Sequence, residues 1–119
     1  MGMLRYLASA VVTRDDIYTT AVVSVLGDGT LAGIESLRME TPATIALDGV
    51  LIVSAAPVEA SAMPARNVGE PLKDYALRLQ PKIKHTASPS MGSRVFLYNA
   101  NGPVAKNGVS RLEGRTFVR

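Results

Sequence analysis

Residues 17–34 read IYTTAVVSVLGDGTLAGI, and this segment decides the fold. Its first part, Ile17 to Leu26, is dense in β-branched residues and is typical of a strand buried on at least one face. Asp28-Gly29 separates it from a second apolar run, Thr30 to Ile34. Asp-Gly between two such runs is a strong hairpin signal, because glycine tolerates the positive φ that these turns need. The segment therefore predicts two antiparallel strands joined by a tight turn.

Similar patterning extends to both sides of this hairpin. Leu4 to Thr13 is short-period and apolar and predicts a strand upstream of it. Downstream, Thr44 to Leu47 and Val50 to Ser54 predict two short strands, and Asp48-Gly49 between them predicts a second tight turn. We therefore expect residues 3–56 to form a β meander.

The middle of the chain changes in character. Residues 57–71 are rich in Ala, Ser, Pro, Asn and Gly, and Pro57, Pro64 and Pro71 restrict the backbone and withhold ladder hydrogen bonds. This composition predicts a Pro-rich loop that crosses the domain.

The next segment, Leu72–His85, fits both a helical stripe and a strand-like alternation. Four residues form the helical stripe: Leu72, Ala76, Leu79 and Ile83. Alternation explains more, because it places the polar residues together on the opposite face: Arg78, Gln80, Lys82 and Lys84. Pro81 is incompatible with a helix interior and confines a strand to an edge or a bulge. We favour an edge strand and leave the helix as the alternative.

The C-terminal third returns to strand signals. Thr86–Ser93 reads as a polar loop, and Arg94–Asn99 predicts a strand. Asn101-Gly102 and Asn107-Gly108 predict two turns, and Arg115–Arg119 closes the chain as a last strand. Residues 72–119 thus form the predicted second set of strands.

The bulk composition fits one globular domain. The chain has 119 residues, of which 47% are hydrophobic and 19% charged, so it is long enough to bury a core of its own. We expect a single all-β domain over residues 1–119. Its architecture is a small β-sandwich or a partly open barrel of about seven to nine strands, with at most one short helix.

Several functional classes are disfavoured by residue content alone. The chain has no cysteine and one histidine, which removes disulfides, thiolate nucleophiles and Cys-ligated metals. No apolar run approaches the roughly 18 residues of a membrane span, and the stretch before Ala8-Ser9-Ala10 is too short for a signal peptide. We expect a cytoplasmic protein with no membrane partner.

Candidate catalytic residues are few. Asp15, Asp16 and Asp28 lie in turn-like positions, where aspartate is favoured by its own local hydrogen bonding. His85 follows Lys84 in a basic segment, where a metal ligand is not expected. We therefore predict no catalytic residue, no metal site and no cofactor. The enzymatic alternative places Asp15, Asp16 or His85 in a pocket between subunits.

Charge is distributed unevenly along the chain. Residues 1–50 carry three Lys/Arg against six Asp/Glu, and residues 51–119 carry ten against four. The candidate basic surface consists of Arg78, Lys82, Lys84 and Arg94. Such a surface binds single-stranded nucleic acid when aromatic side chains lie beside it. Alternation directs Tyr75 toward the core and away from the lysines, so weak nucleic-acid binding through residues 66–94 is only an alternative.

The first half of the chain resembles a known protein lobe. The N-terminal composite β-sandwich of metal-dependent amidohydrolases is similar to five stretches of this sequence: Leu4 to Ser9, Ala21 to Val25, Asp28-Gly29-Thr30, Gly33-Ile34 and Asp48 to Ile52. In that superfamily the sandwich is completed by C-terminal strands and flanks a catalytic TIM barrel. Here no His-x-His motif follows residue 52, so the resemblance implies a stand-alone β lobe without the barrel.

These observations lead to one functional hypothesis. The chain is predicted to be a non-catalytic accessory or interaction module that docks on another protein. We also expect self-association, through the predicted Leu72–His85 edge strand or through an aliphatic patch.

Overall fold

A computed structural model of the chain describes residues 2–36, 44–59, 62–84, 87–101 and 109–112. Its strands are β1 (Met3–Val12), β2 (Ile17–Leu26), β3 (Leu31–Ser36), β4 (Thr44–Ser54), β5 (Phe96–Asn101) and β6 (Val109–Leu112). Helix α1 (Leu72–Leu79) leads into a 3-10 turn (Gln80–Ile83). The fold is mostly β with one short α-helix.

The predicted hairpin is confirmed. β2 and β3 pair antiparallel, and the turn between them is closed by a hydrogen bond from Leu26 N to Thr30 O of 2.9 Å. Gly29 has φ +90°, a conformation that other residues adopt only with strain. The Asp28 side chain accepts a hydrogen bond from Thr30 N at 3.0 Å. Both residues therefore stabilise the turn, Gly29 through its backbone conformation and Asp28 through its side-chain hydrogen bond.

The predicted second turn at Asp48-Gly49 is wrong. The runs on either side of it form one continuous strand, β4, which pairs parallel with β1. Between Ala8 and Ala10 the register shifts, so that Leu47 faces Ala8 and Val50 faces Ala10. This shift is a β-bulge, and Gly49 adopts φ +121° within it. Gly49 thus supplies a positive φ that bends a strand, whereas the sequence pattern predicted a turn that reverses the chain.

The meander also ends sooner than predicted. β1, β2 and β3 are joined as expected, but β4 lies beside β1 instead of beside β3. The six described strands form one mixed sheet that is not closed, in the order β3-β2-β1-β4-β5-β6. This number is below the predicted seven to nine strands. Residues 102–108 and 113–119, which hold most of the two Asn-Gly turns and the last predicted strand, lie outside the described residues.

The edge strand predicted for Leu72–His85 is also wrong. Residues 72–83 form α1 and the 3-10 turn and pack on one face of the sheet, and His85 lies outside the described residues. Pro81 is compatible with this because it occupies the start of the 3-10 turn, where a missing N–H costs little. The helical pattern buries Tyr75 and Ala76 together, which alternation could not do.

Each face of the sheet carries a cluster of buried apolar residues. The cluster under α1 includes Val12, Val50, Ile52 and Tyr98 from the sheet, and Tyr75, Ala76, Leu79 and Ile83 from the helical segment. The cluster on the opposite face includes Tyr6, Val11, Val23, Val25, Leu51, Val53 and Leu97. Because both faces are buried, β1 and β4 are apolar almost throughout, as in other sheets covered on both sides.

A short ladder bends the sheet around the second cluster. Leu31 N donates to Ser93 O and Gly92 N donates to Leu31 O, both at 2.9 Å, and Val95 N donates to Gly29 O at 3.0 Å. These bonds join the β2–β3 turn to the segment before β5, although β2 and β5 are separated by two strands in the sheet. The sheet must therefore curl, which positions α1 on its outer face. No helix in the described part of the chain is long and apolar enough to cross a membrane.

Candidate functional site

Arg78, the first of the predicted basic residues, is held by a carboxylate. Its Nε and one terminal nitrogen each donate to the Glu70 carboxylate at 2.8 Å, and the same terminal nitrogen donates to Ala65 O at 2.7 Å. Hydrogen bonding from Arg78, and then from the Asn67 backbone, lowers the pKa of Glu70 to about 2. The Arg78 side chain therefore attaches the loop before α1 to the helix, and its charge is already paired with Glu70.

Two further hydrogen bonds hold this loop, one to α1 and one within the loop itself. The Tyr75 hydroxyl donates to Pro64 O at 2.9 Å, and Arg66 Nε donates to Glu70 O at 2.8 Å. The Arg78 guanidinium also lies over the Tyr75 ring, 5.6 Å from its centroid. The described part of the Pro-rich segment is therefore held against α1 by hydrogen bonds.

Lys82 and Lys84 are exposed at the C-terminal end of the helical segment. Two long-range contacts fix this end to the β1–β2 turn. Gln80 Nε2 donates to Thr13 O at 2.9 Å, and Arg14 Nε donates to Lys84 O at 3.1 Å. The backbone that carries the two lysines is thus anchored while their side chains project into solvent.

Arg94 lies at the other end of β2. It bridges to Thr30 in the β2–β3 turn, whereas Lys84 contacts the β1–β2 turn through Arg14. The pKa of Asp28 is lowered mainly by hydrogen bonds from Thr30, with a smaller contribution from the Arg94 charge. The four predicted basic residues therefore divide into an ion-paired Arg78, an adjacent pair of lysines and a remote Arg94.

Asp15 and Asp16 organise the β1–β2 turn. The Asp15 carboxylate accepts hydrogen bonds from the Ser88 hydroxyl and from Arg14. The Ser88 bond, followed by the charges of Arg14 and Lys84, lowers the pKa of Asp15, so this carboxylate is a weak base. Asp16 closes the turn through its backbone: Thr13 N donates to Asp16 O at 2.8 Å, and Asp16 N donates to Thr13 Oγ1 at 3.0 Å. His85 lies outside the described residues.

Among the residues that the structure describes, no three His, Cys, Asp or Glu side chains are grouped so that they could hold a metal ion.

The outer face of α1 is a surface that the strand prediction did not identify. We define the helix surface by its exposed residues: Lys73, Asp74, Leu77, Pro81, Lys82 and Lys84. Within this surface Leu77 is 52% exposed. In the described part of the chain the ion pairs join Arg14 to Asp15 and Arg78 to Glu70, and neither uses a lysine. The helical stripe in the sequence was the signal that could have revealed this face.

Aromatic side chains are separated from these lysines. Tyr75 is buried under α1, as predicted, although by helical rather than alternating geometry. Tyr98 is also buried, and its hydroxyl accepts a hydrogen bond from Val58 N at 2.8 Å. Phe96 packs against the same cluster. Tyr75, Tyr98 and Phe96 therefore belong to the core beneath the helix or pack against it.

Comparisons with protein-family models, with curated proteins and with solved structures gave no match to this chain.

Proposed function

We propose that this chain is a non-catalytic interaction module that binds another protein through the helix surface. The observation that carries the proposal is the contrast between the two sides of α1. The inner side is fixed by the burial of Tyr75, Ala76 and Leu79, whereas the outer side presents a half-exposed leucine among lysines. A rigid scaffold that displays an apolar side chain with charges around it is typical of a docking surface.

Polar side chains elsewhere in the structure support this assignment because they are engaged in structural hydrogen bonds. Glu70, Arg78, Asp15 and Ser88 are engaged in hydrogen bonds that attach loops to the helical segment or to the β1–β2 turn. These hydrogen bonds hold the loops in place, so the helix surface is presented on a stable scaffold. Of the three residues that the enzymatic alternative names, Asp15 is unsuited to act as a base because the pKa of its carboxyl is lowered.

The resemblance to the amidohydrolase β lobe forms part of the proposal. It rests on the sequence similarities named above and on the Asp28-Gly29 hairpin. A β lobe of this kind would act by docking on another protein. Residues 72–83 are helical, so they offer no edge strand for self-association.

Site-specific crosslinking in cells of the source organism tests the proposal. A photoreactive amino acid replaces Leu77 in one variant and Glu35, exposed on edge strand β3, in the control. We expect one discrete crosslinked protein from position 77 and none from position 35. Equal crosslinking from both positions, or none from position 77, would contradict the proposal.

A further inference from the structure

We infer that the partner presents an acidic peptide segment with an apolar side chain, and that this segment binds across the helix surface. This inference rests on the proposed function and adds the chemistry of the partner to it. Three features of the described residues carry it: the excess of lysines over carboxylates, the position of Leu77, and the burial of the nearby aromatic rings.

Charge is the first feature. Five basic residues lie between positions 66 and 84: Arg66, Lys73, Arg78, Lys82 and Lys84. Glu70 neutralises Arg78, and Asp74 is the other carboxylate of this segment. The three lysines of the helix surface outnumber its one carboxylate, Asp74, so the surface is cationic and complementary to an acidic ligand, whose approach it accelerates.

Leu77 is the second feature. It lies one helical turn after Lys73 and one turn before Pro81, so it shares the outer face with both. A half-exposed leucine on a surface that also carries lysines is an arrangement in which one apolar contact supplies affinity and the charges supply selectivity. The ligand must then carry an apolar side chain between its carboxylates.

The third feature, the burial of the nearby aromatic rings, favours an acidic peptide over a nucleic acid as the ligand. Single-stranded nucleic acid binds to basic surfaces that also offer exposed aromatic rings for stacking. Here Tyr75 is buried, and Arg78 covers its ring. The apolar group beside the lysines is aliphatic, which suits a peptide side chain better than a base.

Fluorescence anisotropy with defined probes tests the inference. The main probe is a short fluorescein-labelled peptide in which glutamates flank one leucine. A second probe has serine in place of this leucine, and a third is a labelled oligothymidine. We expect the leucine peptide to bind at low salt, to weaken as salt screens the lysines, and to bind about tenfold more tightly than the serine peptide. The oligothymidine should bind more weakly than either.

Variants locate the binding surface. K82E/K84E and L77S should each weaken the leucine peptide about tenfold while leaving the thermal unfolding midpoint close to that of the parent protein. R94E reverses one exposed cation at the other end of β2 and should change the affinity by less than about twofold.

Four outcomes would overturn the inference. These are no binding of the acidic peptide, binding that K82E/K84E leaves unchanged, tighter binding of oligothymidine, and a concentration-dependent dimer that the same substitutions dissociate. If crosslinking through position 77 still captures one protein, the interaction module stands and only the acidic chemistry of its partner fails. If that crosslinking also fails, the proposed function falls with it.

Discussion

The Glu70 carboxylate accepts two hydrogen bonds from Arg78 and one from Asn67 N, and its pKa is about 2 instead of the ordinary 4.5. The folded protein thus holds this proton less tightly than the unfolded chain does. The stabilising contribution is complete above about pH 4.5 and is lost as the pH falls toward 2. We expect E70Q to be less stable than the parent at neutral pH and to lose less stability across this acid range.

Urea unfolding followed by circular dichroism between neutral pH and pH 2 measures this difference. Asp74→Asn is the matched control, because it removes an exposed carboxylate from α1. Acid curves of E70Q and the parent that run parallel would show that the Glu70–Arg78 pair does not contribute.

Tyr98 makes a different kind of contribution, since its buried hydroxyl accepts the hydrogen bond of Val58 N. Tyr98→Phe removes the acceptor and leaves a buried N–H without this partner. We expect a loss of about 1–3 kcal/mol in the free energy of unfolding. Tyr18→Phe, at a half-buried position in β2, should change it by less than about 0.5 kcal/mol. Similar losses in the two variants would argue against a specific role for the Val58–Tyr98 bond.

Single residues also show which features of the candidate site could not be predicted from the sequence. Arg78, Lys82, Lys84 and Arg94 were grouped because sequence reveals charge but not the partner of each charge. Glu70 precedes Arg78 by eight positions, and only the fold of the intervening loop brings them together. Arg94 was separated from the lysines by the sheet, which no local pattern encodes.

The bulge in β4 gives a test of local conformation within one strand. Gly49 has φ +121°, so an alanine there is strained, and we expect Gly49→Ala to destabilise the fold by about 1–3 kcal/mol. Gly33, in β3, has no positive φ, and an added Cβ would meet nothing within 4 Å. Gly33→Ala should be neutral or stabilise by up to about 1 kcal/mol, because it reduces the entropy of the unfolded chain. Urea midpoints compare the two, and equal effects would refute the bulge.

Elements specified by neighbouring residues were predicted well, and those specified by distant contacts were not. β2 and its hairpin depend on β-branched residues and on Asp28-Gly29, which are adjacent in sequence. Helix α1 depends on an apolar face that fits the sheet, and an eight-residue helix has little stability without such packing. Alternation accounted for more of the polar residues in Leu72–His85, but packing against the sheet decided the outcome.

At the scale of the whole molecule, the placement of β4 beside β1 and the curl of the sheet have the same origin. Both pair segments that are far apart in sequence, and both bury apolar surface on two faces of one sheet. The helix can cover only one of those faces. The ladder between residues 29–31 and 92–95 contributes to burial of the other, where Leu31 and Val95 join the cluster around Tyr6.

Hydrogen exchange tests this curl directly. The amides of Leu31, Gly92 and Val95 donate to backbone oxygens across the ladder, so we expect them to exchange at the slow rates of strand amides. The amide of Val68, whose side chain is 86% exposed in the loop before α1, gives the fast reference, and that of Tyr6 in β1 gives the slow one. Exchange of all three ladder amides at the rate of Val68 would mean that the two segments separate in solution. The sheet would then lose the contact that bends it over the cluster opposite α1, and Leu31 and Val95 would become exposed to water.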